Sequence, residues 1–308
     1  TYRMLQLMKK KIPINAEVLM VTNPVLLLVL TNFVKKRRKW KMNVLVHDVF
    51  PENLVVSGLL KSNKSVVFHI LKFIFNMAFK KMDKLIVLGR DMQKLFEQKK
   101  DSKEGITIIE NWADIENITA RPIPESYTKK LLFAGNMGRL QGLEILLEAL
   151  KKTKNNSYTF TFIGSGALDN QIDNFIREQR TTHIEKHGWI PREEQDKFMA
   201  DATIGVVTLK KDMYGLGVPS KFYNLLAAGK PIFYIGDVNS EIHLVLQEHD
   251  IGWFAEAGNL ENIALMLTKI ANTDIGKLQK LSENARTLAE NKYSKEIILN
   301  KFNTLFKN

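Results

Sequence analysis

Three short stretches combine glycine with side chains that could bind a charged group. "FAGNMGRLQG" places Gly135, Gly138 and Arg139 after an apolar run, "FIGSG" repeats the pattern at Gly164, and "GLGVPSKFYNLLAAGKP" places Lys221 before a short apolar segment. Glycine lets a backbone approach a ligand closely, and a cation adds a charge-assisted donor to phosphate oxygens. One such cluster alone is more often a tight turn. Several at one sheet edge favour a site for a phosphate-bearing ligand.

A second candidate for chemistry is "VHDVFPE", in which His47 and Asp48 follow an apolar run. The pair could act on a substrate at the end of a strand, or it could be structural. The chain has no cysteine, so thiol nucleophiles and thiolate metal sites are excluded. His183 and His187 lie in a strand candidate, where four residues span about 13 Å, too far to share one zinc ion. We therefore expect neither a metal nor a cofactor.

The elements that must position these residues alternate regularly along the 308 residues. Apolar runs such as "AEVLMVT", "NVLVHDVF", "KLIVLG", "KKLLFAG" and "YTFTFIGSG" predict strands, and the segments between them have helical periodicity. Residues 18–34 carry no charge, but Asn23-Pro24 interrupts them, so we predict strand, turn and helix rather than a membrane span. This alternation predicts two doubly wound α/β halves with parallel sheets. They join near residues 112–128, where Pro122 and Pro124 flank polar residues.

Five motifs in serial order resemble one known family. They are "FAGNMGRLQGLEILLEAL", "FIGSG", "HGWI", "GVPSKFYNLLAAGKP" and "GWFAEAGNLENIALML". Together they are similar to the C-terminal domain of retaining GT-B glycosyltransferases of the glycosyltransferase 4 (group 1) family. The Pro-Ser-Lys variant resembles a subgroup that acts in bacterial surface polysaccharide assembly. The similarity extends through "NVLVHDVFPENL" and "ITIIENWADIE" to most of the chain.

The resemblance implies two Rossmann-like domains with transfer in the cleft between them. Residues 1–117 would form an acceptor-side domain lacking its initial βα units, 118–293 a nucleotide-sugar domain, and 294–308 a helix that crosses back to the first domain. A UDP-linked hexosyl or N-acetylhexosaminyl donor would bind through backbone N–H groups at residues 215, 217 and 218, with Ser220 capping the helix and Lys221 reaching the diphosphate or ribose. The full donor-binding set is Gly135, Asn136, Gly138, Arg139, Gln141, Gly164, Trp189, Ile190, Gly217, Val218, Pro219, Ser220, Lys221 and Asn224.

The family resemblance also implies roles for His47 and Asp48. His47 matches a histidine that hydrogen-bonds the donor sugar, and retaining transfer is pictured as front-face attack in which the departing diphosphate takes the acceptor's proton. The alternative is a covalent intermediate on a carboxylate, which would require Asp48 at the anomeric carbon. Three residues depart from the family pattern. Leu216 and Asn224 stand where members often have glutamate, and Gln141 stands where many have lysine.

Charge separates the two halves of the chain. Residues 1–100 hold 20 Lys and Arg against 6 Asp and Glu, whereas residues 101–308 hold 25 against 27. Within the first half, "KKRRKW" and the helix candidate "KSVVFHILKFIFNMAFKKMDK" are basic, and the latter is amphipathic. We expect peripheral, cytoplasmic association with the inner face of an anionic membrane, and a lipid-linked glycan as acceptor. The alternative is that this helix only packs on its own sheet.

Three other functions fit parts of the sequence. A nucleotide-sugar 2-epimerase shares the two-domain fold, and a non-catalytic partner subunit is favoured by Leu216 and Asn224. Nucleic-acid binding rests on charge alone, without an aromatic platform or recognition motif. We therefore expect no nucleic-acid partner.

Overall fold

The chain contains two parallel sheets in a computed structural model, which describes residues 1–123, 128–153, 158–179, 182–191 and 194–307. It divides into two compact units. Unit 1 comprises Thr1–Glu110 and Tyr214–Val218, and unit 2 comprises Asn111–Met213 and Pro219–Asn308. The predicted α/β class, with two Rossmann-like halves, is confirmed. Pro124 of the predicted junction lies outside the described residues.

Unit 1 is built on a four-stranded parallel sheet in the order β1-β2-β3-β4. Its strands are β1 (Glu17–Val21), β2 (Lys41–Leu45), β3 (Lys84–Val87) and β4 (Ile106–Ile108), and its helices are α1 (Tyr2–Lys11), α2 (Val25–Arg38), α3 (Glu52–Val56), α4 (Val66–Lys80) and α5 (Arg90–Lys100). Strands β2 and β3 are mostly buried, as expected for strands with packing on both faces. The charge-free stretch 18–34 forms β1, a turn and α2, as predicted.

Helix α1 is not predicted by the alternation of strands and helices. Its ten residues expose most of their side chains, and only Leu5 is buried. Its position depends on hydrogen bonds from the Arg38 guanidinium to the carbonyl oxygens of Lys9 and Ile12, at 2.5 and 2.7 Å. Among the described residues, no helix is long and apolar enough to cross a membrane.

Unit 2 has a six-stranded parallel sheet in the order β10-β9-β8-β5-β6-β7. Its strands are β5 (Lys129–Ala134), β6 (Tyr158–Ile163), β7 (Ile184–His187), β8 (Ile204–Thr208), β9 (Ile232–Gly236) and β10 (Gly252–Glu256). Its helices are α6 (Leu143–Thr153), α7 (Asp169–Gln179), α8 (Gln195–Asp201), α9 (Lys221–Ala227), α10 (Glu241–His249), α11 (Leu260–Ala271), α12 (Ile275–Tyr293) and α13 (Lys295–Lys307). The chain runs outward from β5 through β6 to β7 and then returns to β8 beside β5. Open α/β sheets bind ligands at such a reversal, outside the carboxyl ends of the strands.

The last helix, α13, occupies most of the segment predicted as helical at 294–308. Ile298 is fully buried, while Ile297, Phe302, Leu305 and Phe306 are half-buried. Within unit 2, Ser294 forms a parallel bridge with Ala113 at the start of the helix. That α13 packs on the first domain stays a prediction.

Candidate active site

Two glycine loops meet at the carboxyl edge of the unit 2 sheet. Gly135 follows β5 and Gly164 follows β6, and the Gly135 N–H donates to the carbonyl oxygen of Ile163 at 2.8 Å. A Cβ on Gly164 would lie 2.0 Å from the Gly135 carbonyl oxygen, so no larger residue fits at 164 without moving the first loop. Glycine at 164 is therefore required by the packing of one loop on the other. The sequence predicts a tight turn or the close approach of a ligand here, and it does not indicate the packing of two loops.

A cavity of about 570 Å³ opens beside these loops. Ten residues of the predicted donor-binding set line it: Gly135, Asn136, Gln141, Gly164, Trp189, Ile190, Pro219, Ser220, Lys221 and Asn224. Gly138 and Arg139 do not line it, and Arg139 is exposed. The structure therefore groups most of the predicted set around one concave surface of unit 2.

Lys221 provides the basic side chain in the lining of this cavity. Its Nζ donates to Gln141 Oε1 at 2.9 Å and lies 3.6 Å from the centroid of the Phe133 ring. No carboxylate pairs with it among the described residues, and burial lowers its pKa to about 7. A buried ammonium without a counter-ion is costly, and an anionic ligand would remove that cost. The lysine side chain also passes close to Gly135, where a Cβ would lie 3.2 Å from Lys221 Cε.

Ser220 stands at the N-terminus of α9, but its side chain makes no capping hydrogen bond, so the predicted cap is wrong. Ser220 itself has helical backbone angles, φ −62° and ψ −25°. The first turn consequently begins one residue earlier, and the N–H groups of Phe222 and Tyr223 donate to the carbonyl oxygens of Pro219 and Ser220, both at 3.1 Å. The Ser220 hydroxyl, which lines the cavity, is not used as a cap.

The carboxyl edge of the unit 1 sheet carries His47 and Asp48. Thr22, which follows β1 and is buried, accepts hydrogen bonds at its hydroxyl oxygen from the backbone N–H groups of both residues, each at 3.2 Å. Asn53 donates to Asp48 Oδ1 at 3.1 Å. Burial raises the pKa of Asp48, an effect opposed by the neighbouring His47 and by the Asn53 hydrogen bond. The His47 side chain is exposed, so a substrate can reach it.

The loop Tyr214–Val218, which we call the GLGV loop, belongs to unit 1 although its sequence neighbours belong to unit 2. The Gly215 N–H donates to Asp91 Oδ2 at 3.2 Å, so the prediction that Gly215 offers this group to a sugar is wrong. Asp91 is buried at the start of α5 and also accepts from the Met92 N–H at 2.7 Å. Leu216 is only 4% exposed.

Gly217 and Val218 have backbone N–H groups that were predicted to be available to a ligand. Among the described residues, no hydrogen bond of either N–H group is found. A Cβ at Gly217 would lie 3.3 Å from the His47 carbonyl oxygen, which places this residue beside the His47 backbone within unit 1. The structure thus groups Gly217 with His47 rather than with the glycine loops of unit 2.

Sequence reasoning missed several residues of both sites. Thr22 and Asp91 in unit 1 were not singled out, although both follow parallel strands and could have been found as polar residues at strand carboxyl ends. In unit 2 the cavity is also lined by Ser165, Gln195, Phe198 and Met199. The last three come from α8 and carry no sequence signal of their own. Over the described ranges, no three His, Asp or Glu side chains are grouped so that they could hold a metal ion.

Comparison with known proteins agrees with this architecture. The family model described as "Glycosyl transferases group 1" matches residues 114–288. The Pseudomonas aeruginosa protein "Probable glycosyltransferase WbjE" is 35% identical over 294 residues, which cover 92% of this chain and 72% of that protein.

Solved structures share the fold at low sequence identity. Anabaena HepE in complex with UDP-glucose matches with a TM-score of 0.73 at 15% identity, over 91% of this chain and 76% of that one. A Staphylococcus aureus TarM mutant in complex with UDP matches with a TM-score of 0.69 at 18% identity, over 94% of this chain. The chain spans 55% of the TarM chain.

Proposed function

The chain belongs to the group 1 glycosyltransferases, and we propose that it moves a hexosyl or N-acetylhexosaminyl group from a UDP-linked donor to a lipid-linked glycan with retention of anomeric configuration. The observation that carries the proposal is Lys221, a largely buried lysine without a carboxylate partner among the described residues, in a cavity of about 570 Å³ lined by two glycine loops. This is the arrangement expected for binding a diphosphate.

The donor nucleotide would bind in the unit 2 cavity. We assign the diphosphate to Lys221, with Gln141 holding the ammonium in place through its 2.9 Å hydrogen bond. Trp189 is 74% exposed and lines the same cavity, so its ring and the adjacent backbone are available to the nucleobase. Asn224, also in the lining, can hydrogen-bond a ribose hydroxyl. The choice of UDP is supported by the solved neighbours that bind UDP or UDP-glucose.

The transfer step would depend on the unit 1 edge. The exposed His47 would hydrogen-bond the donor sugar, and free N–H groups at Gly217 and Val218 would do the same. In front-face transfer the departing diphosphate oxygen accepts the acceptor's proton as the new glycosidic bond forms, so positioning and charge stabilisation dominate over enzymic base catalysis. Lys221 would stabilise the charge that develops on the leaving diphosphate, and we propose that it does so without a metal ion.

The chain connects the two proposed sites directly. Val218 ends the GLGV loop of unit 1, and Pro219, the next residue, lines the cavity of unit 2. A donor whose diphosphate is held by Lys221 is therefore bound three residues along the chain from Val218. This connection makes the GLGV loop a natural contact for the donor sugar.

We further propose that the protein works at the inner, cytoplasmic face of an anionic membrane as a peripheral protein. The support is the excess of basic residues in positions 1–100. A lipid-linked acceptor would then be presented at the surface to which the enzyme binds.

The proposal is tested by incubating the protein with a panel of nucleotide sugars and a membrane extract, and identifying the products by mass spectrometry. We expect a glycosylated lipid from one UDP-sugar, and loss of that product in the Lys221→Met variant. A new sugar isomer formed from donor alone would instead indicate an epimerase. Binding of UDP without any product from the whole panel would favour a non-catalytic partner subunit.

A further inference from the structure

The basic residues of unit 1 are concentrated where three helices end. Helix α1 ends with Lys9–Lys11, α2 with Lys35–Arg38 and α4 with Lys80. Two contacts hold these ends together: Lys35 Nζ donates to the carbonyl oxygen of Lys81 at 2.5 Å, and the Arg38 guanidinium donates to the carbonyl oxygen of Lys9, also at 2.5 Å. Basic side chains in a last helical turn are favoured by the helix dipole, which explains one or two per helix. It does not explain why lysines at the ends of α2 and α4 line one concave surface.

That surface is a groove of about 610 Å³, which we call the lysine groove; it is lined by Lys35, Lys36, Lys39, Lys41 and Lys81. Its acidic residue is Asp83, which is already paired with Lys35 at 2.6 Å. Lys36, Lys39 and Lys81 are exposed, and within the described ranges none of these three has a carboxylate partner. The groove is therefore built to hold a negatively charged group larger than a single carboxylate.

An apolar stripe on α4 runs toward the same place. Val66, Val67, Ile70, Phe73 and Met77 are 43–74% exposed, while the opposite face of the helix is buried. At 1.5 Å per residue the stripe is about 17 Å long. It ends about one turn before Lys81, which directly follows α4 and lines the lysine groove. An apolar stripe next to a basic groove matches the acyl chains and the phosphate of a lipid.

We propose that α4 lies in the interface of a bilayer containing anionic glycerophospholipid, and that the lysine groove binds the phosphate of a lipid headgroup. This inference rests on the proposed membrane association and identifies the surface and the lipid chemistry. Nucleic acid is disfavoured because Trp40, the aromatic residue of the groove, is 2% exposed and cannot stack on a base. A bound nucleic acid would also leave the apolar stripe of α4 exposed to water.

The test is co-sedimentation with phosphatidylcholine vesicles, with and without phosphatidylglycerol. We expect binding that requires phosphatidylglycerol and is weakened at least about 100-fold by the combined changes Lys36→Glu, Lys39→Glu and Lys81→Glu, since each lost basic residue near an anionic surface costs about 1 kcal/mol and each new glutamate adds repulsion. The control carries the same charge change at exposed lysines elsewhere: Lys94→Glu, Lys151→Glu and Lys269→Glu. It should bind like the unchanged protein.

A second variant, Ile70→Asn with Phe73→Asn, tests the stripe. It should lose the part of vesicle binding that survives high salt, because salt screens the lysines and not the apolar contact. Equal binding by the groove and control variants, or unaltered binding by the stripe variant at high salt, would overturn the proposal. So would groove-dependent binding of inorganic diphosphate or of duplex DNA at the affinity found for vesicles.

The outcome is separable from that of the proposed function. UDP titration of the groove variant should match that of the unchanged protein, since the donor cavity lies in unit 2. Vesicle binding without glycosyl transfer would reject the enzymatic proposal and leave the lipid surface standing.

Discussion

Replacing Lys221 with methionine should weaken UDP binding and simultaneously stabilise the fold. Methionine keeps most of the side-chain volume and removes the charge. A charge-assisted contact to the diphosphate contributes about 1.5–3 kcal/mol, so Kd should rise about 10-fold to 150-fold. The measurement is isothermal titration calorimetry with UDP at pH 7.

The pH dependence follows from the pKa of Lys221, which burial lowers to about 7. A bound diphosphate favours the ammonium and raises that pKa, so binding above pH 7 takes up a proton. Kd should therefore rise between pH 7 and 9, at up to about tenfold per pH unit, and should level off above the raised pKa of the complex, since one pKa unit corresponds to about 1.4 kcal/mol. Titrations in buffers of different ionisation enthalpy should show about half a proton taken up at pH 7, and the uptake should fall away above the raised pKa of the complex.

A rise in pH weakens UDP binding through Lys221, but it should increase the stability of the fold. The ordinary pKa of a lysine side chain is 10.5, so between pH 7 and 10.5 the unfolded chain binds more protons at this position than the folded chain. The unfavourable contribution of Lys221 is therefore largest at and below pH 7 and disappears as pH approaches 10.5. We expect Lys221→Met to raise the unfolding temperature at neutral pH, with a gain that shrinks as pH rises.

Lys230→Met provides the matched control. Lys230 is also buried in unit 2, and burial lowers its pKa to about 8, but its Nζ faces the carbonyl oxygen of Ala200 at 3.3 Å and does not line the cavity. It should leave the affinity for UDP unchanged. If Lys221→Met binds UDP as tightly as the unchanged protein, or if wild-type affinity is constant from pH 7 to 9, Lys221 does not contact the diphosphate.

Three further changes test other parts of the site. His47→Ala should lower glycosyl transfer at least tenfold with UDP affinity unchanged, and full activity would show that the strand-end pair is structural. Asp91→Asn should speed hydrogen–deuterium exchange in residues 214–218 and lower transfer, with UDP affinity retained. The control is Asp274→Asn, at an exposed helix start where the carboxylate accepts a hydrogen bond from the Lys277 N–H. Equal exchange in the two variants would show that Asp91 does not anchor the loop. Removing residues 294–308 should expose the apolar face around Ile298, lower the unfolding temperature and impair transfer more than UDP binding. Thermal melts, UDP titration and a product assay check these three effects, and retained turnover would contradict the prediction.

The sequence predicts elements well where periodicity is strong, as in α4, and at strand ends marked by glycine, as at Gly135 and Gly164. It fails where a distant partner decides the conformation. The hydrogen bond from Gly215 to Asp91 joins residues 124 positions apart, and no local pattern indicates it. Ser220 illustrates a second limit, since a serine before a helix predicts a cap, but backbone carbonyl groups satisfy the first-turn donors instead.

Two of these three departures from the family pattern, Gln141 and Leu216, have separate physical explanations. Gln141 cannot supply a cation, but it accepts a hydrogen bond from Lys221, so the charge reaches the cavity from α9 instead of from the first glycine loop. Leu216 cannot bind a sugar hydroxyl, but at 4% exposure it is a buried apolar residue of the GLGV loop, which the hydrogen bond from Gly215 to Asp91 holds within unit 1. In the proposed site, the loop would then offer a sugar its backbone N–H groups at Gly217 and Val218 and no carboxylate. Selection among donor sugars would accordingly depend on these main-chain donors and on His47, whose backbone is held by Thr22.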